Sequence, residues 1–268
     1  MEQFEFAPGG YESCNVKAWI HGALDGYRIN YPAVIICPGG AYAGVSGREA
    51  EPVAAPFYTA GFNTFILYYS VGARAAGFEP LCQLAATIAE IRERSEDWHT
   101  IPNKIAVCGF SAGGHLAASL GVLFNEPEFL RKFGSTKHIR PDAVILGYPV
   151  ITADADAHVE SIENVSGSPK GSEAYRWFGL DNHVDAQTPP MFLWHTAADS
   201  LVPVENSLKM AAALSAEKIH FELHVLPEGE HGMSVCTEEV GTPSAYNARW
   251  VEWCIIWLQK QMNFSEDG

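Results

Sequence analysis

The chain has 268 residues, 47% of them hydrophobic and 18% charged, a mixture that buries a full core and excludes an intrinsically disordered protein. Its 17 Lys and Arg stand against 32 Asp and Glu, for a net charge of −15. That sign argues against nucleic acid or an anionic membrane surface as a partner, since both repel an acidic protein.

No segment approaches the roughly 20 apolar residues of a membrane span, and the acidic start MEQFEF lacks the basic stretch and apolar run of a secretory signal. The six cysteines, Cys14, Cys37, Cys82, Cys108, Cys236 and Cys254, form no CxxC pair, so free core thiols in a reducing compartment are expected. The expectation is a soluble, cytoplasmic protein, with a processed secreted form as the alternative. Without a linker-like stretch the chain reads as one domain over residues 1–268. A homo-oligomer is left open.

The N-terminal portion, to about Tyr31, reads as antiparallel strands entering a sheet. Near-continuous apolar runs then predict strands buried on both faces. They are AVIIC (Ala33–Cys37), TFILYY (Thr64–Tyr69), IAVCG (Ile105–Gly109), AVILGY (Ala143–Tyr148), MFLWH (Met191–His195) and HFELHVL (His220–Leu226). Helical stretches fall between them, around Glu51–Thr59, Pro80–Glu93, Ala112–Phe124 and Val204–Ala216, with a last one from about Pro243 to Gln259. Alternation of this kind builds a mostly parallel sheet with helices on both faces, an α/β fold.

One segment breaks the rhythm. From Thr152 to Pro190 the chain is polar and turn-rich, with a short helical candidate near Ser172–Phe178. A loop this long inside a compact domain is usually a lid or binding loop, and it follows the carboxyl end of a strand, where open α/β sheets bind ligands. Residues 152–190 therefore read as a small cap insertion.

Directly after IAVCG comes Gly109-Phe110-Ser111-Ala112-Gly113. A GxSxG with a strand before it and a helix after it is a nucleophile elbow, in which flanking glycines permit the sharp turn that lifts the serine hydroxyl clear of the sheet. A serine hydroxyl is a poor nucleophile until an adjacent base, itself oriented by a third group, takes its proton. His231, in Glu-Gly-Glu-His-Gly after the last strand, and Asp199, in the turn following MFLWH, supply these in the order Ser, Asp, His. The rival acids are less well placed, Asp185 in the cap and Glu205 at a helix start. His115, four residues beyond Ser111 on the same helix, reads as a packing residue.

Acyl transfer also needs backbone N–H groups aimed at the oxygen that gains charge. Cys37-Pro38-Gly39-Gly40-Ala41-Tyr42, at the end of the first buried strand, makes Gly40 and Ala41 candidates, with the Ala112 amide as the second arm.

Taken together, GFSAGGH, CPGGAY, WHTAADSLVPVENS and EGEHG resemble the esterase and acetyl-xylan-esterase-like branch of the α/β-hydrolase superfamily, over nearly the whole chain. The resemblance implies Ser111 as nucleophile, Asp199 as orienting acid and His231 as base. Two positions depart from the family pattern: Pro38 stands where the oxyanion motif usually starts with His or Tyr, and Ala41 replaces its third Gly.

The expected function is a serine carboxylesterase for short-chain acyl esters. The resemblance implies O-acetyl groups on sugars or xylo-oligosaccharides as substrate, a small molecule or oligosaccharide, with no metal and no organic cofactor. A feruloyl esterase or other aryl or medium-chain esterase is the alternative, and a non-catalytic hydrolase-fold binding protein is the reading from a different class. Tyr42, Arg48, Trp177 and Phe178 are candidate substrate-binding residues. Alternating His220, Glu222 and His224 share one strand face, which the exposed side of an edge strand explains without a metal.

Overall fold

The computed structural model describes residues 1–24, 30–134 and 138–264. Residues 25–29, within the portion predicted as N-terminal strands, lie outside them, as do the ends of the span 1–268 beyond residue 264.

Strand β3 (Tyr31–Cys37) is buried at every position because helices cover both faces of the sheet, the physical reason its sequence is unbroken apolar. It lies near the middle of an eight-stranded sheet formed by the described residues. The other strands are β1 (Glu2–Phe6), β2 (Asn15–Ile20), β4 (Asn63–Tyr68), β5 (Thr100–Phe110), β6 (Ala143–Gly147), β7 (Met191–Thr196) and β8 (Phe221–Leu226). Their spatial order is β1-β2-β4-β3-β5-β6-β7-β8. Strand β2 is antiparallel to both β1 and β4, and from β4 to β8 all pairs are parallel.

This topology fixes where a site can form. The chain leaves β3 to one side for β4 and returns on the other side for β5, so the switch point lies at the carboxyl ends of β3 and β5, which are in register at Cys37 and Gly109. The loops after β3, β5, β6, β7 and β8 all emerge at that same edge.

Side chains alternate between two cores. Ala33, Ile35 and Cys37 face one layer, with α2 (Glu79–Glu93), α3 (Ala112–Leu123), α4 (Pro127–Phe133) and α7 (Glu205–Ala216). Val34 and Ile36 face the other, with α1 (Glu51–Thr59) and α8 (Arg249–Gln261). All six cysteines are free and buried. No helix among the described residues is long and apolar enough to cross a membrane.

Three elements differ from the sequence reading. Helix α8 begins at Arg249 rather than near Pro243, because the preceding residues are held in turns by bonds such as Ser244 N–H to the Cys236 carbonyl, 3.0 Å. The seven-residue α4 is too short to show a period. Segment 152–190 also contains a further helix, α5 (Val159–Ser166), besides α6 (Glu173–Trp177), which Ser172 caps by accepting the Tyr175 N–H at 3.2 Å. The start of this segment is pinned to α7: the Asn206 side chain accepts from Ile151 and Thr152 N–H at 2.9 and 3.1 Å and donates to the Asp156 carbonyl at 2.9 Å.

Helix α3 is buried along its whole length although it carries three glycines, poor helix formers. Close approach explains one of them. A Cβ on Gly113 would stand 2.0 Å from the Cys37 carbonyl oxygen and 2.4 Å from that of Pro38, both backbone atoms that cannot swing away. Gly113→Ala is therefore expected to lower stability by about 3 kcal/mol in urea unfolding, whereas Gly22→Ala, with nothing within 4 Å, should leave the midpoint nearly unchanged.

Candidate active site

Ser111 sits between β5 and α3 with φ +53° and ψ −121°, a conformation that side-chain-bearing residues rarely hold. Its neighbours impose it. The Ser111 N–H donates to the Gly147 carbonyl at 3.1 Å, and its own carbonyl accepts from His115 and Val150 N–H at 3.1 and 3.0 Å. Gly109 is needed on the strand side, since a Cβ there would lie 2.1 Å from the Gly113 carbonyl. The strain is thus held by surrounding backbone, and the hydroxyl is delivered to the carboxyl edge of the sheet.

His231 and Asp199 come from loops 32 residues apart and meet there. His231 Nε2 is 2.9 Å from Ser111 Oγ, and its Nδ1 is 2.7 Å from Asp199 Oδ2. A carboxylate can only accept, so Nδ1 carries the proton and the Nε2 lone pair faces the hydroxyl. Asp199 is itself well held: Oδ1 accepts from Leu201 and Val202 N–H at 3.0 and 2.9 Å, and His195 Nε2 approaches Oδ2 at 3.3 Å. Burial pushes the carboxyl pKa up, but the hydrogen bonds from His195, His231 and the Val202 amide outweigh it and hold the group well below the usual carboxylate range. His195 is fixed in turn, with Nδ1 2.8 Å from Ser207 Oγ and Nε2 3.0 Å from the Val202 carbonyl.

The loop after β3 runs through three consecutive residues of positive φ, Gly40 (+132°), Ala41 (+56°) and Tyr42 (+59°). Only glycine fits the first, because a Cβ would meet the Gly44 carbonyl at 2.3 Å. Ala41 is kept in the left-handed region with help from segment 152–190, where Asn164 of α5 donates to its carbonyl at 2.8 Å. The Gly39 N–H is taken by Glu49 Oε2 at 2.7 Å. The next two amides, Gly40 and Ala41, and that of Ala112 find no acceptor among the described residues, which leaves three donors near Ser111 for an incoming oxygen.

Other predicted residues have different surroundings. Tyr42 offers no face to a substrate: it is fully buried, its hydroxyl 3.0 Å from His115 Nδ1. His115 Nε2 donates to the Phe178 carbonyl at 3.0 Å, and burial pushes this imidazole down to about 4, so it stays neutral and ties the β3 loop, α3 and segment 152–190 together. Phe178 is likewise a core residue, packed on Phe78 and His115. Trp177 is partly exposed but packs edge-on against Phe78 and Phe178. The Arg48 guanidinium donates from Nε to the Val240 carbonyl at 2.7 Å and from Nη2 to the Gly232 carbonyl at 2.8 Å, which braces the His231 loop. On edge strand β8, Glu222 pairs with His224 at 2.7 Å and His220 Nδ1 lies 2.9 Å from Gln261. No group of three or more His, Cys, Asp or Glu among the described residues could hold a metal.

Sequence reasoning overlooked Glu49, Tyr148, Asn164 and the bracing role of His195. None belongs to a spaced motif, and the one signal available was an acid, Glu49, ten residues past a glycine loop.

A mixed sheet of this order, with the serine elbow after β5 and the acid and imidazole after β7 and β8, defines an α/β hydrolase. Residues 25–214 match the BD-FAE family, and the chain belongs to it. It is 35% identical over 233 residues to endo-1,4-beta-xylanase B of Butyrivibrio fibrisolvens, covering 84% of this chain and 35% of that protein. To an acetylxylan esterase of Xylanibacter ruminicola it is 27% identical, over 76% of this chain and 42% of the relative. The chain thus spans less than half the length of these curated relatives. Among solved structures it resembles an acetyl ester-xyloside bifunctional hydrolase from Caldicellulosiruptor lactoaceticus, with TM-score 0.81, 33% identity, and 94% and 89% of the two chains covered.

The low-lying Asp199 has a consequence for acid stability. A carboxyl depressed by folding contributes stability that is complete above its unfolded value, about 3.9, and is lost as pH falls toward the folded value. In Asp199→Asn the loss of urea stability between about pH 5 and about pH 2 should be smaller than in the wild type; an equal loss would show that Asp199 is not held this way.

Proposed function

We propose that the protein is a serine carboxylesterase that removes short acyl groups, O-acetyl groups on sugars or xylo-oligosaccharides, through an acyl-enzyme on Ser111. The observation that carries this reading is the relay from Ser111 Oγ to His231 Nε2 at 2.9 Å and from His231 Nδ1 to Asp199 at 2.7 Å. In the first step His231 accepts the Ser111 proton as Oγ attacks the ester carbonyl, and the oxygen that becomes negative meets the Gly40, Ala41 and Ala112 amides. His231 then hands the proton to the departing alcohol. Water, deprotonated by the same imidazole, releases the acid and restores the serine. Asp199 keeps its charge throughout and stabilises the imidazolium. No metal or organic cofactor has a part in these steps. Residues 152–190 act as a small cap on a single α/β domain.

The substrate class draws on the names of the relatives, an acetylxylan esterase and an acetyl ester-xyloside hydrolase. The burial of Tyr42 and Phe178 also favours a small acyl group over a feruloyl ring, because it withdraws two of the three aromatic faces the sequence offered.

Initial rates on p-nitrophenyl acetate, butyrate and octanoate, on methyl ferulate, and for acetate release from acetylated xylo-oligosaccharide test both levels. Acetate should be fastest and octanoate negligible. Ser111→Ala should lower kcat by about a thousandfold or more. Wild-type activity in that variant would remove the serine mechanism; a preference for octanoate or ferulate would remove the acetyl-ester reading alone.

A further inference from the structure

Glu49 is a carboxylate that the acyl-transfer steps do not use, and it is almost wholly buried, 4% exposed. Burying an unpaired carboxylate costs several kcal/mol or more, so its partners matter. Oε2 accepts the Gly39 N–H at 2.7 Å and Oε1 accepts the Tyr148 hydroxyl at 2.6 Å. The Tyr148 oxygen in turn accepts the Ser234 N–H at 2.9 Å, three residues beyond His231, which leaves the phenolic proton for Glu49. Both carboxylate oxygens therefore act as acceptors, as an anion requires.

The same group lies close to the reacting atoms on two sides. Gly39 is pressed between Glu49 and the nucleophile: a Cβ there would meet Glu49 Oε2 at 2.7 Å and Ser111 Cβ at 2.9 Å. The Tyr148 ring meets the His231 ring edge to face, centroids 5.0 Å apart. Ser234 closes the circuit by donating its hydroxyl to the Arg48 carbonyl at 2.6 Å, back beside Glu49.

We propose that Glu49 is a positioning residue of this site: its carboxylate locks the β3 loop to the His231 loop through Tyr148, and its charge favours the imidazolium that His231 becomes during turnover. The proposal rests on the acyl-transfer reading of Ser111 and His231. Its physical basis is that each proton transfer creates a cation in a poorly solvated place, where a fixed anion is worth more than in water. Asp199 supplies one such anion through a direct hydrogen bond; Glu49 supplies a second, bound to the hydroxyl of the Tyr148 whose ring meets the imidazole. The titratable and charged groups around Glu49 are Arg48 on its own turn, His231 from the loop after β8, Tyr148 after β6, Tyr69 after β4 and Cys108 in β5. Burial raises the Glu49 carboxyl above the usual carboxylate range, and the bonds from Tyr148 and Gly39 and the nearby His231 and Arg48 offset that rise only in part.

The test is kcat, KM and the pH dependence of kcat/KM on p-nitrophenyl acetate for Glu49→Gln and Tyr148→Phe beside the wild type. Glu49→Gln is expected to lower kcat about 10- to 100-fold with KM within about threefold. The acid limb of kcat/KM should also move to lower pH, because without the neighbouring anion the imidazolium gives up its proton more readily. Tyr148→Phe keeps the charge but cuts the bridge, and should lower kcat by about three- to tenfold with the limb in place.

Wild-type kcat in either variant overturns the proposal. So does a fall in kcat for Glu49→Gln with the acid limb unmoved, the result that simple loosening would give. If Glu49→Gln does not fold, Tyr148→Phe decides on kcat. Failure of the underlying reading has its own signature, an active Ser111→Ala and a wild-type Ser111 that a fluorophosphonate does not label, whatever the Glu49 variants do.

Discussion

The contact between Gly113 and the carbonyls of Cys37 and Pro38 governs the rest of the site. With no room for a side chain between them, helix α3 lies directly on the end of β3, and the turn that joins β5 to α3 is forced into the Ser111 conformation. That brings Ser111 beside the loop after β3, where a Cβ on Gly39 would stand 2.9 Å from that of Ser111. A glycine-rich helix is intrinsically weak. Here the loss in propensity is offset by burial of the whole helix, so packing and not local preference decides the element.

Around this contact the site is assembled from buried polar groups that leave few bonds unmade. Asp199 is satisfied by two amides and two imidazoles, and Glu49 by an amide and a phenol. Neither charge could be tolerated alone in such surroundings. Because His231 reaches Asp199 from the loop after β8 and Tyr148 reaches Glu49 from the loop after β6, these two hydrogen bonds also act as distance constraints between loops. The loops after β3, β5, β6, β7 and β8 are cross-tied, and segment 152–190 joins in through Asn164 and through the Phe178 carbonyl that receives the His115 N–H. Reactive geometry at a sheet edge depends on such ties, since loops unsupported by their neighbours are the most mobile parts of a domain.

The central strands and most helices were legible because two-sided burial demands continuous apolar runs and helix burial demands a period. The same logic explains what escaped. Helices α4 and α5, at seven and eight residues, are too short for periodicity to separate from noise, and the last helix was started early because Pro243 resembles an N-terminal signal. Ser111, Asp199 and His231 could be picked out since each stands at a strand's end in a motif with its own turn chemistry. Tyr42 and Phe178 were read as substrate contacts for the lack of any sign in the sequence that His115 would draw both inward.

What the sequence by itself determined is the alternation that makes a mostly parallel sheet and the positions, at strand ends, where a serine, an acid, an imidazole and a glycine loop must emerge. Those follow from local rules: period, propensity and the backbone freedom of glycine. Only the tertiary structure decided which polar side chains are enclosed and with whom they pair. Glu49 and Tyr148 are 99 residues apart and meet at 2.6 Å, while Arg48 reaches Val240 and Gly232. Such pairings depend on how the loops of one sheet edge fold over one another, and no local rule of the chain encodes that.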